Sequence, residues 1–153
     1  MILRALIAFL VLPGLFALAL PPLLAVLDPW RGGASWLGWP VLAAGVAVLG
    51  WCVADFYLAG KGTLAPWDPP RRLVIRGLYR HTRNPMYVGV LTIVLGQALV
   101  WGSPLLGLYG VALAIGFHVR VTRVEEPWLA RTFPEDWPSF AATIPRWVPR
   151  LRP

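Results

Sequence analysis

Two long apolar stretches near the start of the chain decide what it can fold into. Ile2 to Leu27 carries a single charge, Arg4, at its very start, and Trp36 to Tyr57 carries only Asp55, within a turn of its end. A membrane-spanning helix needs about 20 mostly apolar residues, and each stretch supplies them. A cleaved signal peptide is the rival reading of the first, since Ala17-Leu18-Ala19 has the small-x-small pattern. Its apolar run, however, is longer than the usual signal core. Charged residues make up 14% of the 153 and mean hydropathy is +0.63, which excludes an ordinary soluble domain. Sixteen prolines and fifteen glycines punctuate apolar runs and do not form a low-complexity tract.

Two further apolar segments, Met86 to Trp101 and Leu105 to Val119, are separated only by Gly102-Ser103-Pro104, the signature of a tight helical hairpin. Each would reach about 23 Å, less than the ~30 Å hydrocarbon core, so their polar flanks should dip into the membrane or line a cavity. The expected fold is all-α: a polytopic integral membrane protein of about four spans. It is a single domain, residues 1–58 forming two N-terminal spans and 59–153 holding the hairpin and the polar cytoplasmic segments. Four spans put 13 of the 14 Lys and Arg on one side, Arg31 being the exception. By the positive-inside rule both termini are cytoplasmic. Trp30, Trp36, Trp39 and Trp101 then fall at the far interface, and Trp67, Trp128, Trp137 and Trp147 at the near one, as anchors. Scarce Lys, Asn and Ile against abundant Ala, Arg, Gly and Pro suggest a GC-rich genome, a compositional bias and not a functional signal; the expected location is a bacterial inner membrane.

The chemistry is confined to the cytoplasmic segments. Hairpin symmetry sets Tyr87 opposite His118 and Arg83 opposite Thr122. Arg83, Asn84, Tyr87, His118, Arg120, Arg123, Glu125 and Glu126 therefore gather at one mouth of the hairpin. Ionisable residues at membrane depth are costly and mark functional sites. Asn84-Pro85 reads as an N-cap and first helical residue, whose unpaired N–H groups, backed by Arg83, suit a carboxylate or phosphate. Pro127 disfavours α geometry at Glu126 and should break or kink the helix there, leaving the acids to face that helix start across a short gap. A zwitterionic ligand suits such a pair. The plain alternative is that the arginines only set topology, that Glu126 pairs with Arg123 three residues away, and that His118 is a satisfied polar residue at a helix end. Cys52 reads as packing, no Cys/His metal set can be assembled, and Gly60-Lys61-Gly62-Thr63 lacks the first glycine and preceding strand of a phosphate loop.

The stretch Gly77-Leu78-Tyr79-Arg80-His81-Thr82-Arg83-Asn84-Pro85-Met86-Tyr87-Val88-Gly89 resembles the signature of the isoprenylcysteine carboxyl methyltransferase family, related to membrane phospholipid methyltransferases. Glu125-Glu126 with Leu129 and Phe133, then Ile144-Pro145-Arg146-Trp147-Val148-Pro149, resembles that family's C-terminal block. The likeness covers roughly residues 60–150. It implies an integral membrane enzyme that uses S-adenosylmethionine, held in a cytoplasmic cofactor pocket formed within residues 59–153. Tyr79, Arg83, Asn84, Pro85, Tyr87 and Gly89 match the first cofactor block, and Glu125, Glu126 and Leu129 the second; hairpin symmetry adds His118. The implied acceptor is lipophilic and enters from the bilayer. An isoprenylcysteine-like carboxylate is the first reading, oriented by Arg123 or Arg120, with Glu126 positioning that arginine or the cofactor. A phospholipid or other lipophilic amine or hydroxyl, or a non-catalytic subunit binding lipid or a partner protein, are the alternatives. No nucleic acid is expected as a partner. Departures from the pattern are Pro127 inside the acidic block and Phe133-Pro134, Trp137 and Phe140 where the family often has Phe-Gly and two tyrosines.

Overall fold

The computed structural model describes residues 10–59, 73 and 75–150. The start of the first span, Gly60 to Arg72 with Trp67, and Arg152 lie outside the described residues. Among those described every element is helical. A π-helical segment, Leu10–Ala19, runs into α1, Leu20–Leu27; α2 is Gly38–Ala59; a 3-10 turn, Gly77–Arg80, precedes α3, Pro85–Trp101. Then α4, Pro104–Arg120, passes through a π-helical turn, Val121–Glu125, into α5, Glu126–Thr132, and α6 is Trp137–Thr143.

Glycines let α2 and α3 pack antiparallel at backbone contact. A Cβ on Gly45 would lie 2.7 Å from the Ile93 nitrogen, one on Gly96 2.5 Å from that of Leu42, and one on Gly38 2.5 Å from that of Val100. Lipid tails are as apolar as leucine, so close van der Waals contact between small residues replaces the hydrophobic drive that assembles helices in water. The outer faces are apolar and open: Val46 and Trp51 on α2, and Leu108, Val111, Ile115 and Val119 along α4, are all more than half exposed. Two helical stretches, Gly38–Asp55 and Pro104–Thr132, are long and apolar enough to cross a membrane; Gly14–Leu27 and Pro85–Trp101 are shorter.

The α3–α4 hairpin forms as the sequence predicts. Gly102 takes a left-handed conformation (φ 55°) that ends α3, Ser103 N–H donates to the Ala98 carbonyl, and the Ser103 hydroxyl accepts from Leu106 N–H at the start of α4. Buried Asp28 fastens this tip, accepting from the Ser103 hydroxyl and from the N–H groups of Leu105 (3.0 Å) and Trp30 (2.9 Å).

Three expectations change. The fourth segment does not stop at Val119: α4, the π turn and α5 make a continuous 29-residue helical rod, about 43 Å long. Pro127 does not break it, and Glu126 is fully α-helical (φ −62°, ψ −43°). The wider π turn, closed by Glu126 N–H onto the Val121 carbonyl, is the adjustment that accommodates the proline ring just beyond it. Trp137 is buried against Phe140 and Ile144 and is therefore a packing residue, not an interfacial anchor; Trp147 packs half-buried against His118 at the hairpin mouth, and Trp30, Trp36 and Trp39 are exposed at the far end.

The first helix shows how backbone groups are satisfied away from water. Residues 21 and 22 are both proline, so the Ala17 carbonyl has neither its α nor its π donor, and Phe16 lacks its π donor. Side chains supply them: Gln97 Nε2 donates to Ala17 O at 2.6 Å and the Tyr109 hydroxyl to Phe16 O at 2.9 Å. These bonds bind the first helix to the hairpin.

Candidate active site

At the hairpin's charged end the chain brings two carboxylates, three arginines and a tyrosine into two adjacent networks. Glu126, at the start of α5, accepts from Arg83 Nη1 at 2.8 Å, from Arg146 Nε at 2.8 Å and from Arg146 Nη2 at 2.7 Å. Its neighbour Glu125 accepts from the Tyr87 hydroxyl and from Arg120 Nε at 2.7 Å, and Arg120 Nε also reaches the Tyr87 oxygen at 3.3 Å. Successive residues on the rod thus serve two cations sets, one toward the C-terminal segment and one toward α3.

That segment is strapped across the mouth by its backbone. Arg83 N–H donates to Pro145 O at 2.9 Å, the Thr82 hydroxyl to Arg146 O at 3.0 Å, Asn84 Nδ2 to Arg146 O at 3.1 Å, and Arg150 N–H to His81 O at 2.9 Å. The strap carries Trp147 to His118, whose Nδ1 accepts the indole N–H at 3.2 Å. The rings of Tyr87 and Phe117 stand 4.3 Å apart, so the level predicted for Tyr87 against His118 holds to within one residue.

Burial sets the charges apart. The Arg83 side chain is 13% exposed and that of Arg146 33%. Desolvation pushes the Arg83 guanidinium below its ordinary value despite the pull of Glu126, whereas its hydrogen bonds to Glu126 hold Arg146 above. Arg83 Nε is buried without a hydrogen-bond partner, and the guanidinium lies 5.7 Å over the Trp137 ring. Burial likewise raises the Tyr79 phenol well above its usual value.

The structure brings together Arg83, Asn84, Tyr87, His118, Arg120, Glu125 and Glu126. It distributes the rest of the predicted set differently. Tyr79 is buried against Cys52, Pro85 is fully buried at the start of α3, and Leu129 packs with Trp137, Phe140 and Ile144. Gly89 faces α2, where a Cβ would lie 3.1 Å from the Leu49 nitrogen, so its lack of a side chain serves helix packing. Arg123 is exposed and makes no ion pair among the described residues; the expected contact with Glu126 is replaced by Arg83 and Arg146. The gap expected between the acids and the helix start is likewise bridged by the Arg83–Glu126 bond, and Asn84 turns its amide to the strap and does not cap α3. Arg146, Thr82 and Trp147 are the participants that residue-by-residue reading passed over. The Ile144-Pro145-Arg146-Trp147 block was the visible signal for Arg146 and Trp147, and the Gly77 to Gly89 stretch that for Thr82.

The donor set suits a zwitterion beside a sulfonium. Arg83 and Arg146 can receive a carboxylate, the buried Arg83 Nε still has a proton to give, and Glu125 and Glu126 can face a cation.

Apolar outer faces, two helical stretches long and apolar enough to cross a membrane, a hairpin closed by a polar cluster at one end and the absence of strands among the described residues describe a helical protein of the membrane class with an ionic cluster at one end of its hairpin. The family model described as phospholipid methyltransferase matches residues 37–136, about two thirds of the chain, and the chain belongs to that family, which takes in the isoprenylcysteine-type enzymes it resembles. The match covers α2 through α5 and both acids, and stops short of the strap. Membership implies a membrane methyltransferase, for which S-adenosylmethionine is the usual methyl donor. No curated protein and no solved structure matches the chain.

Proposed function

We propose that the protein transfers a methyl group from S-adenosylmethionine to a lipophilic acceptor entering from the bilayer, and that the acceptor group is a carboxylate of the isoprenylcysteine type. The observation that carries this reading is the adjacent pair of ion networks at the hairpin mouth, one centred on Glu126 and one on Glu125. When bound, S-adenosylmethionine supplies an electrophilic methyl group on a cationic sulfur. Arg83, Asn84, Arg146 and Glu126 hold that cofactor. Arg120, fixed by Glu125 and Tyr87, orients the acceptor. A carboxylate is already ionised at neutral pH and needs no general base, so alignment is the chain's main contribution. Were the acceptor an amine or hydroxyl, Glu126 or His118 would have to take its proton. Both termini and the site face the cytoplasm, which holds the cofactor.

The test is purified protein in detergent with methyl-labelled S-adenosylmethionine and a panel of lipophilic acids, amines and alcohols. Label in a base-labile ester of a prenylated acid supports the reading. Label in an amine or ether moves the acceptor class, and cofactor binding without transfer to any acceptor points to a non-catalytic membrane subunit.

A further inference from the structure

One buried acid, at the same end of α2 as the site, takes no part in either network. Asp55, near the end of α2, is 5% exposed, and its Oδ2 is buried with no hydrogen-bond partner. Among the described residues its Oδ1 pairs with the Arg76 guanidinium, Nε at 3.6 Å, beyond hydrogen-bonding distance, on a side chain that is 60% exposed. A carboxylate held this way forfeits its water and gains little in return, because a loose pair with a solvated arginine is weak. Packing alone does not call for an acid here. The carboxylate has instead been given room: Gly77, with φ 52°, begins the 3-10 turn beside it, and a Cβ there would collide with Oδ2. Trp51 Nε1 borders the same spot, 2.9 Å from that Cβ position.

Depth links this acid to the site. The close pairs Gly38 with Val100, Leu42 with Gly96, Gly45 with Ile93 and Leu49 with Gly89 run in step along the antiparallel α2 and α3. Continued to the end of α2, the same register sets Asp55 level with Arg83. Tyr79 lies between, packed on Cys52 one turn before Asp55 and close enough to feel both Asp55 and Glu125.

We propose that Asp55 is a specificity residue that receives the protonated amine of the acceptor, which would then be a lipophilic amino acid carrying an ammonium beside the carboxylate to be methylated. The ammonium takes the place beside Oδ1 that the exposed Arg76 now fills loosely and neutralises the buried carboxylate. An acceptor with the carboxylate alone would instead bring a second negative charge toward Asp55. This inference rests on the carboxyl-methyltransferase reading above.

The probes are S-prenylcysteine, with a free amine, and its N-acylated form, compared as acceptors by kcat/KM with wild-type protein, Asp55→Asn and Arg76→Gln. The expected result is a tenfold or greater preference of the wild type for the free amine. Asp55→Asn loses that preference, and Arg76→Gln, which removes only the competing cation, keeps or enlarges it. Melting temperature and S-adenosylmethionine affinity check that each variant is folded. Equal use of the two acceptors by wild type, or an unchanged preference in folded Asp55→Asn, overturns the role of Asp55 while leaving the methyltransferase reading intact. Methylation at nitrogen overturns it as well, and no methylation of either probe overturns both.

Discussion

Arg146 grips Glu126 from 20 residues away with two parallel hydrogen bonds, Nε to Oε1 at 2.8 Å and Nη2 to Oε2 at 2.7 Å. Paired donors of a planar guanidinium fix direction as well as distance. Because the strap's backbone is simultaneously tied to Thr82 and Asn84, this pair clamps the C-terminal segment to the rod and to the turn before α3.

Arg83→Ala is expected to weaken S-adenosylmethionine binding about tenfold or more, since a charge-assisted contact to the methionine carboxylate is worth ~1.5 to 3 kcal/mol. Arg146 still pairs with Glu126 in this variant, so the strap should stay in place. Calorimetry on the folded variant is the measurement. Unaltered affinity would leave Arg83 as a partner of Glu126 and nothing more.

Much of this site could be read from residue order, and the part that could not has a definite cause. Gly102-Ser103-Pro104 announced the hairpin, and counting outward from it set Tyr87 opposite His118, one residue from the Phe117 ring it meets. Partner choice was not legible. On an unbroken α-helix, Arg123 and Glu126 are neighbours, but the π turn, with more residues per turn, rotates them apart and leaves Glu126 to distant arginines. Nothing local in Val121-Thr122-Arg123-Val124-Glu125 signals that turn except the proline that follows. The length of the rod was misjudged for the same reason.

Gln97→Leu should cost about 1 to 3 kcal/mol of stability, because it strands the Ala17 carbonyl that two prolines have already deprived of donors. Leucine preserves apolar volume, so packing loss is small. Thermal unfolding in detergent reads the effect. Gln97→Glu, which at neutral pH puts an acceptor against an acceptor, should be worse. A melting temperature unchanged by Gln97→Leu would mean that the carbonyl finds another donor.

Acid should loosen the hairpin tip through Asp28. Its carboxyl is held below the usual range, first by the Ser103 hydroxyl and then by the Trp30 and Leu105 N–H groups. A group whose folded value is depressed contributes stability that is fully present above its unfolded value, near 3.8, and is lost as pH falls through the folded value. The wild type should therefore melt above Asp28→Asn at neutral pH, and the difference should shrink as pH drops below that range. A difference independent of pH would assign the effect to shape and not to charge.

Both termini and the strap are expected on the cytoplasmic side, because 13 of 14 basic residues fall there under four spans. In a Cys52→Ala background, Ser139→Cys on α6 should resist a membrane-impermeant thiol reagent applied to whole cells, and Trp36→Cys should react. Both positions are solvent-open, the first exposed and the second 76% exposed, so shielding by the fold does not confuse the outcome. Labelling at 139 would invert the topology.

Glu126→Gln tests the centre of the network. Glutamine keeps the shape, but its amide presents N–H where Oε1 or Oε2 now accepts from an arginine, so at least one of the three hydrogen bonds is lost and two partly buried cations lose their shared counter-charge. If Glu126 only anchors the strap, the loss should appear as a lower melting temperature with turnover intact at temperatures where the protein is folded. If it also faces the sulfonium or sets Arg83 and Arg146 to receive the cofactor carboxylate, turnover or cofactor affinity should fall by tenfold or more in protein that is still folded. The second outcome is expected. Raising S-adenosylmethionine to saturation then separates the two functional roles. Recovery of rate assigns Glu126 to holding the cofactor, and a deficit that persists assigns it to the transfer step. Near-wild-type kinetics in the folded variant would remove Glu126 from the chemistry and leave Glu125, with Tyr87 and Arg120, as the acid that matters.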